Sequence, residues 1–194
     1  MTTPRIVVVC LAPAGPEYVT EHTRAEIARV AHRYLRTDRH PSASLVPDAD
    51  TFDDVYEAAD TFADVYAEIA DRLAAAAQLH GEVLYAVPGS PLILERTVRA
   101  LRTDQRIECT IHPAMSFLDI AYARLGIDPV EANVTLVDGH EFAIAAAGMA
   151  GPLLVAHTHA NWVLSDIKLA VENATGDEPV VILQRLGSPD ERIT

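Results

Sequence analysis

The sequence predicts an α/β fold, because short apolar runs alternate with amphipathic segments and with turns that contain proline and glycine. Residues 6–11 are apolar at every position, which is typical of a strand buried on both faces of a parallel sheet. A turn at residues 12–16 and a helix capped by Thr20 follow this strand. The length of 194 residues allows one large domain or two small lobes that share a cleft.

Two helical segments and a second strand continue this pattern. The helix after Thr20 is predicted to run through Tyr34. A longer helix is predicted at residues 52–77, because apolar and acidic side chains there fall on opposite faces at about 100° per residue. Its predicted apolar face comprises Tyr56, Ala59, Phe62, Ala63, Tyr66, Ile69, Ala70 and Leu73. Gly81 ends the helical region, and residues 82–87 form a second buried strand.

The rest of the chain repeats the strand–helix order. Further helices are predicted at 92–101, 117–125 and 161–173, and further strands at 107–111, 134–137, 153–158 and 180–184. Gly126 is predicted to cap the helix at 117–125. We expect right-handed crossovers and a boundary near residue 113, with an N-terminal lobe at 1–112 and a C-terminal lobe at 113–194.

Composition narrows the class of function. A formal net charge of −13 argues against broad nucleic-acid binding, because phosphates would be repelled. The apolar start of the chain is too short for a signal-peptide core or a membrane span. Cys10 and Cys109 are predicted to be buried or half-buried free thiols, which favours a cytoplasmic protein.

Three loops are candidates for ligand binding, because ligands of α/β sheets bind beyond the carboxyl ends of strands. They lie at residues 12–16, 88–91 and 112–116. The middle loop is the most suggestive, since Gly89 lets the backbone approach a ligand closely. The sequence pattern alone is equally consistent with an ordinary turn between a strand and a helix that binds no ligand.

Motifs in these loops and elsewhere occur in a consistent order. They are Tyr-Leu-Arg-Thr at 34–37 with His40, Thr-Phe-Asp-Asp-Val-Tyr at 51–56, Tyr-Ala-Val-Pro-Gly-Ser-Pro-Leu at 85–92 with Glu-Arg-Thr-Val at 95–98, Ser-Phe-Leu-Asp at 116–119 with Leu-Gly-Ile-Asp-Pro at 125–129, and Ser-Asp at 165–166 with Lys-Leu at 168–169. On these motifs the chain resembles the tetrapyrrole (corrin/porphyrin) methylase superfamily, and within it the YabN-type domain that precedes MazG nucleotide pyrophosphohydrolases.

This resemblance implies a two-lobed class III methyltransferase fold with S-adenosylmethionine in a cleft between the lobes, usually in a homodimer. The implied activity is methyl transfer to a small-molecule or peptide acceptor, with a MazG-type pyrophosphohydrolase as partner. The implied cofactor contacts are Pro88, Gly89, Ser90, Pro91, Leu92, Ser116, Phe117 and His157. In the family a further strand usually follows the position of Thr194, so the resemblance predicts a shortened or excised C-terminal lobe.

The first loop departs from the family pattern Gly-x-Gly-Pro-Gly-Asp-Pro. It reads Cys-Leu-Ala-Pro-Ala-Gly-Pro at residues 10–16, so Ala12 and Ala14 replace glycines where close approach or a positive φ is expected. The resemblance places this loop, with Pro13, on the substrate side. Arg36 and His40 are either solvated loop residues or substrate-side residues, with Arg36 a candidate for an anionic substrate group. The altered loop favours an alternative function, a catalytically silent module that senses S-adenosylmethionine or mediates dimerisation, and regulates a pyrophosphohydrolase.

Two sets of residues suggest metal binding, and neither matches a known site. Asp54, Glu57, Glu68 and Asp71 are acidic and share a predicted helix face, which is more typical of a solvated surface than of a magnesium site. His157 and His159 lie two apart on a predicted strand, with His112 and His140 as further candidates. Their spacing is not a zinc pattern, so the sequence predicts no metal. Trp162 is predicted to pack in the fold or in a dimer.

Overall fold

In the computed structural model, residues 3–171 and 180–194 are described. The chain forms two compact units. The first unit comprises Met1–Ala121 and Leu183–Thr194, and the second comprises Tyr122–Ile182. Compared with the predicted lobes, residues 113–121 and the C-terminal segment belong to the first unit.

A parallel five-stranded sheet forms the first unit, with the strand order β3-β2-β4-β1-β5. Its strands are β1 (Arg5–Cys10), β2 (Arg33–Leu35), β3 (Asp50–Thr51), β4 (Glu82–Val87) and β5 (Glu108–Ile111). β1 lies between β4 and β5, with Arg5 opposite both Glu82 and Glu108. The predicted α/β class with a parallel sheet is therefore confirmed.

Helices cover both faces of this sheet. They are α1 (Glu21–Arg29), α2 (Asp53–Ala58), α3 (Phe62–His80) and α4 (Arg96–Leu101). A fifth helix, α5 (Phe117–Leu125), follows β5, and the division between the two units falls within it. Ile6, Val8 and Cys10 of β1 belong to the same buried core as side chains of α2, α3 and α4. Val7 and Val9 belong to a second core that includes Ile27 of α1. Two buried faces explain why β1 is continuously apolar.

The predicted helix through Tyr34 is wrong beyond Arg29. Val30 adopts an extended conformation (φ −86°, ψ 128°), and β2 follows it. Tyr34 pairs with Tyr85 of β4 in the sheet. Strand pairing thus prevails over a helical pattern that a few apolar residues had suggested.

The predicted single helix at 52–77 is also wrong, because it is two helices. The hydroxyl of Thr61 accepts a hydrogen bond from the Asp64 N–H and caps the start of α3. Phe62, placed on the apolar face, is 61% exposed, whereas Val65 is buried. Because the chain breaks between α2 and α3, the side chains of α3 face other directions than a single continuous helix would give them.

Two smaller boundaries also differ in the first unit. The helix predicted at 92–101 begins only at Arg96, after Leu94 takes a left-handed conformation (φ 60°). The helix at 117–125 and its cap at Gly126 (φ 64°) are confirmed. The strand predicted at 180–184 forms only at its end, as β8 (Leu183–Gln184), which pairs antiparallel with the unpredicted β9 (Arg192–Ile193).

The second unit contains the parallel pair β6 (Thr135–Asp138) and β7 (Leu153–Ala156) with helices α6 (Phe142–Ala145) and α7 (Asn161–Val171). β7 ends before the predicted Thr158, because His157 is left-handed (φ 60°). Residues 172 and 173 of the predicted helix lie outside the described residues.

Short 3₁₀ turns occur at Pro16–Tyr18, Ala43–Leu45 and Gly139–Glu141. No helix of the described residues is both long and apolar enough to cross a membrane.

Backbone strain in the first loop gives a stability prediction. Ala12 is buried and left-handed (φ 59°), whereas Ala14 is buried without a positive φ. Both Ala12→Gly and Ala14→Gly remove a methyl group and loosen the unfolded chain, but only Ala12→Gly relieves strain. We therefore expect the free energy of unfolding to fall in both variants, and to fall by about 1–2 kcal/mol less in Ala12→Gly than in Ala14→Gly. Urea denaturation of the two variants measures this difference, and equal losses would contradict the assignment of strain.

Candidate functional site

The three predicted ligand loops meet at one edge of the sheet. They follow β1, β4 and β5, which are adjacent and parallel, so their carboxyl ends share that edge. Backbone hydrogen bonds tie the first two loops together: Gly89 N–H donates to the Ala12 carbonyl (2.8 Å), and Leu11 N–H donates to the Val87 carbonyl (2.8 Å). His112 N–H donates to Val8 across the β1–β5 pair (3.0 Å).

Gly89 leaves open space above this edge. Its φ is +65°, and a Cβ added there would meet no atom within 4 Å. Pro88 and Ser90 are half-buried beside it, Pro91 is buried, and Leu92 is 58% exposed. The loop can therefore present its backbone to a ligand at close range, which an amphipathic nucleoside requires for its polar edges.

Ser116 and Phe117 begin α5 in the third loop. The Ser116 hydroxyl accepts a hydrogen bond from the Leu118 N–H (3.0 Å), and the Asp119 carboxylate accepts one from the Ser116 N–H (2.7 Å). Ser116 is buried and Phe117 is half-buried. This reciprocal capping holds the third loop in place at the sheet edge.

The predicted substrate-side residues Pro13 and His40 lie at the first loop or beside it. Pro13 is half-buried between the buried Ala12 and Ala14. The Ser42 hydroxyl donates to the Ala14 carbonyl (2.9 Å), and its N–H donates to Nδ1 of His40 (3.2 Å). Burial lowers the pKa of His40, so its ring is neutral near pH 7.

Cys10 does not supply a nucleophile to this site. Burial, followed by the nearby Glu95 carboxylate, raises the pKa of its thiol to about 12. The thiol donates a weak hydrogen bond to the His112 carbonyl (3.7 Å). It therefore acts as a small packing side chain.

Arg36 is held inside the first unit. Its guanidinium donates to Glu95 Oε2 (2.7 Å) and to the Tyr56 hydroxyl (2.8 Å), and the Glu95 side chain is only 2% exposed. Burial raises the pKa of Glu95 although Arg36 opposes this shift. Sequence reasoning named Arg36 alone and missed its partners, although both Glu95 and Tyr56 lie in the ordered motifs. The charge of Arg36 is thus paired internally, and its predicted role toward an anionic substrate stays a prediction.

Buried polar atoms near the Arg36–Glu95 pair lower the stability of the folded state, because they lack good hydrogen bonds. Glu95 Oε1 is buried without a hydrogen-bond partner among the described residues, and the buried Tyr85 hydroxyl and Thr97 Oγ1 have at most a weak hydrogen bond to each other. Each such group costs about 1–3 kcal/mol when no water or ligand reaches it. These atoms belong to side chains on β4 and at the start of α4, close to the Arg36–Glu95 pair.

A double-mutant cycle tests the Arg36–Glu95 pair. Glu95→Leu leaves a guanidinium that cannot lose its charge, so we expect a loss of about 3 kcal/mol in the free energy of unfolding. The double variant Arg36→Met/Glu95→Leu should lose less than the sum of the single variants, by about 1–3 kcal/mol.

Urea denaturation measures these free energies of unfolding. The control is Arg72→Met, because Arg72 binds Asp54 and Glu68 at the surface and should cost less than about 1 kcal/mol. Additive losses in the cycle would show that the pair is not coupled.

His157 belongs to the second unit, whereas the other predicted cofactor contacts belong to the first. It follows β7 directly and is partly exposed. Its Nδ1 lies 3.2 Å from Oδ1 of Asp138, at the end of β6. The prediction that it lies on a strand is wrong, since its left-handed backbone ends the strand.

Comparison with known proteins identifies the family. Residues 5–194 match the family model of the tetrapyrrole (corrin/porphyrin) methylases. The chain belongs to the tetrapyrrole methylase family. It is 32% identical over 200 aligned positions to the uncharacterized protein YabN of Bacillus subtilis, and the match covers 97% of this chain. The chain spans 40% of the length of that relative.

Solved methylase structures share the fold. Uroporphyrin-III C-methyltransferase from Thermus thermophilus superimposes with a TM-score of 0.68 at 18% identity, covering 98% of this chain and 82% of the enzyme. A structure of that enzyme complexed with S-adenyl homocysteine has a TM-score of 0.64 at 17% identity, with the same coverages. The precorrin-6Y methylase of Archaeoglobus fulgidus has a TM-score of 0.63 at 24% identity, covering 98% of this chain and 87% of that one. The predicted class III methyltransferase fold is therefore confirmed.

The acidic residues of this methylase-family chain do not form one stripe. Asp54 lies on α2 and Glu68 on α3, and Arg72 donates to both (2.8 and 2.7 Å). Asp71 accepts from Arg106 (2.6 Å). These carboxylates are exposed and engaged by arginines, which supports a solvated surface over a magnesium site.

Of the histidines considered for metal binding, His112 and His157 lie in different units. His112 contacts His22, with 2.7 Å between Nδ1 of His112 and Nε2 of His22. His140 does join His157: its Nδ1 lies 3.4 Å from Oδ1 of Asp138. Sequence reasoning missed Asp138, although the Asp-Gly-His sequence at 138–140 places a carboxylate beside a histidine.

Proposed function

We propose that the chain is a methyltransferase-type domain that binds S-adenosylmethionine. The observation that carries this proposal is the open space over Gly89, at the sheet edge where three loops meet. Membership of the tetrapyrrole methylase family and the fold shared with a methyltransferase complexed with S-adenyl homocysteine support it. The methyl acceptor would be a small molecule or a peptide.

S-adenosylmethionine, when bound, supplies a methyl group on a sulfonium, and its transfer is an in-line displacement that alignment accelerates. The backbone at Pro88, Gly89 and Ser90 would bind the polar edges of the cofactor, and the exposed Leu92 would add apolar contact. The neutral His40 and Pro13 would border the acceptor. No acid or covalent nucleophile is needed, in accord with the protonated thiol of Cys10.

Two glycines at opposite ends of β4 give a matched test of cofactor binding. Gly81 and Gly89 both have positive φ, and an added Cβ would meet no atom within 4 Å at either. Alanine is strained at both sites, and Gly81 (φ 82°, ψ −46°) lies outside the left-handed helical region, so Gly81→Ala is a stringent control for loss of folded protein. We expect Gly89→Ala to weaken S-adenosylmethionine binding about tenfold or more, because the methyl group occupies the open space, and Gly81→Ala to leave it unchanged.

Calorimetric titration with S-adenosylmethionine and S-adenosylhomocysteine measures this effect. Absence of binding to the unmodified chain at about millimolar cofactor would overturn the proposed function. Equal weakening in both glycine variants would overturn the proposed position of the cofactor, because it would indicate a loss of folded protein instead.

The alternative function, a silent sensor, is favoured by the first loop. Ala12 and Ala14 are buried where the family pattern has glycine, and Arg36 is paired with Glu95. In this alternative the chain binds S-adenosylmethionine without methyl transfer and regulates a MazG-type pyrophosphohydrolase. Release of S-adenosylhomocysteine in the presence of candidate acceptors would support the enzyme, and binding without release would support the sensor.

We further infer a homodimer. Large exposed apolar side chains of the second unit are Val130, Leu136, Ile144, Met149, Trp162, Leu164, Leu169, Val180, Val181 and Ile182. A second copy of the chain would remove much of this apolar surface from water. A cytoplasmic location is proposed as well, supported by the free thiols of Cys10 and Cys109.

Light scattering coupled to gel filtration tests the dimer. We expect about twice the chain mass of 21.0 kDa for the unmodified protein. Ile144→Asp should weaken association about tenfold or more, because Ile144 is 85% exposed in the second unit. Leu79→Asp is the control, since Leu79 is 78% exposed on α3 of the first unit. A monomer at all concentrations would refute the homodimer.

A further inference from the structure

A group of metal-ligating side chains in the second unit is unexplained by the proposed function. Asp138 ends β6, His140 lies in the 3₁₀ turn that follows, and His157 comes directly after β7. Because β6 and β7 are parallel neighbours, with Asp138 opposite Ala156, their carboxyl ends bring the three side chains together. We call Asp138, His140 and His157 the Asp–His cluster.

The distances within the cluster match metal coordination. Oδ1 of Asp138 lies 3.2 Å from Nδ1 of His157 and 3.4 Å from Nδ1 of His140. Zinc binds nitrogen and oxygen at about 2.0–2.1 Å, so two ligand atoms of a tetrahedral site are about 3.3 Å apart. The third pair of ligand atoms lies within 4.8 Å. Small side-chain rotations would complete the geometry.

We propose that Asp138, His140 and His157 bind a divalent transition-metal ion of the Zn²⁺ type. Imidazole nitrogens with one carboxylate oxygen suit Zn²⁺, Ni²⁺ and Co²⁺. His159 is a further ligand within reach, since its ring centroid lies 5.5 Å from that of His140 and 6.4 Å from that of His157. With three protein ligands, the fourth position belongs to His159 or to water.

Metal ions compete with protons for imidazole nitrogens and carboxylate oxygens. Bound Zn²⁺ is therefore expected to be released as the pH falls.

The surrounding residues restrain the cluster. A Cβ on Gly139 would lie 2.8 Å from the Ala156 carbonyl and 3.0 Å from Cγ1 of Val163, so only glycine fits between Asp138 and His140. The ring of Trp162 stacks on His140, with centroids 5.4 Å apart. Rigid ligands lose less entropy on binding a metal.

A second group of similar composition serves as the control. His22, Glu26 and His112 of the first unit also place ligand atoms within 4.8 Å of one another. There the Glu26 carboxylate already binds Arg29 (2.7 and 3.0 Å), so a cation would have to displace a guanidinium. We therefore expect the Asp–His cluster to bind metal in preference to this group.

Zinc titration of the whole chain, with a chromogenic chelator as competitor, tests the proposal. We expect one Zn²⁺ per chain with a dissociation constant of about micromolar or lower. His140→Ala and Asp138→Asn should each weaken binding about tenfold or more, and His22→Ala should leave it unchanged. Calorimetric titration of the same variants with S-adenosylmethionine measures cofactor binding separately from metal binding, so failure of the proposed function and failure of the metal site are distinguishable.

Cobalt absorption of the unmodified chain provides a second measurement that needs no variant. Co²⁺ held by nitrogen and oxygen ligands in a tetrahedral site absorbs visible light strongly, and the band should disappear on addition of excess Zn²⁺. Failure to bind Zn²⁺ at a ratio of one, or unchanged affinity in Asp138→Asn and His140→Ala with lost affinity in His22→Ala, would overturn the proposal.

Discussion

The parallel pairing of β1 with β4 on one side and β5 on the other is the constraint on which the candidate site depends. Since both faces of β1 are apolar, burial alone does not distinguish one register from a slip by one residue. The hydrogen bonds of Leu11 to Val87 and of Gly89 to Ala12 extend the pairing into the loops and select one register. That register also aligns the two loops that flank the open space over Gly89.

The same bonds explain why a strained residue persists at Ala12. A left-handed alanine costs about 1–2 kcal/mol, and such a conformation survives where its surroundings determine it. Three sets of contacts fix the backbone of the short loop that contains Ala12. They are the β1–β4 pairing, the bridge from Ala12 to Gly89, and the hydrogen bond from Ser42 to the Ala14 carbonyl. The backbone path expected of glycine is therefore retained although the side chains have changed.

Local signals in the sequence predicted β1, β4 and the helix closed by Gly126, because each depends on residues close in sequence. The break before α3 could also have been found, since Thr61 and Asp64 form a capping pattern that the long apolar face concealed. The pairing of Arg36 with Glu95 could not, because it joins residues 59 positions apart that only the sheet brings together. The ordered motifs indicated both residues without indicating their contact.

His157 shows how one side chain could serve two predicted roles. The family resemblance assigns it to the adenosine wall, whereas its Nδ1 faces Asp138 within the Asp–His cluster. An imidazole has two nitrogens, and a metal ion or a proton shared with Asp138 occupies only Nδ1. Nε2 and the ring face then remain for a second ligand. Metal binding would also fix the ring orientation, so the two predicted roles do not compete for the same nitrogen.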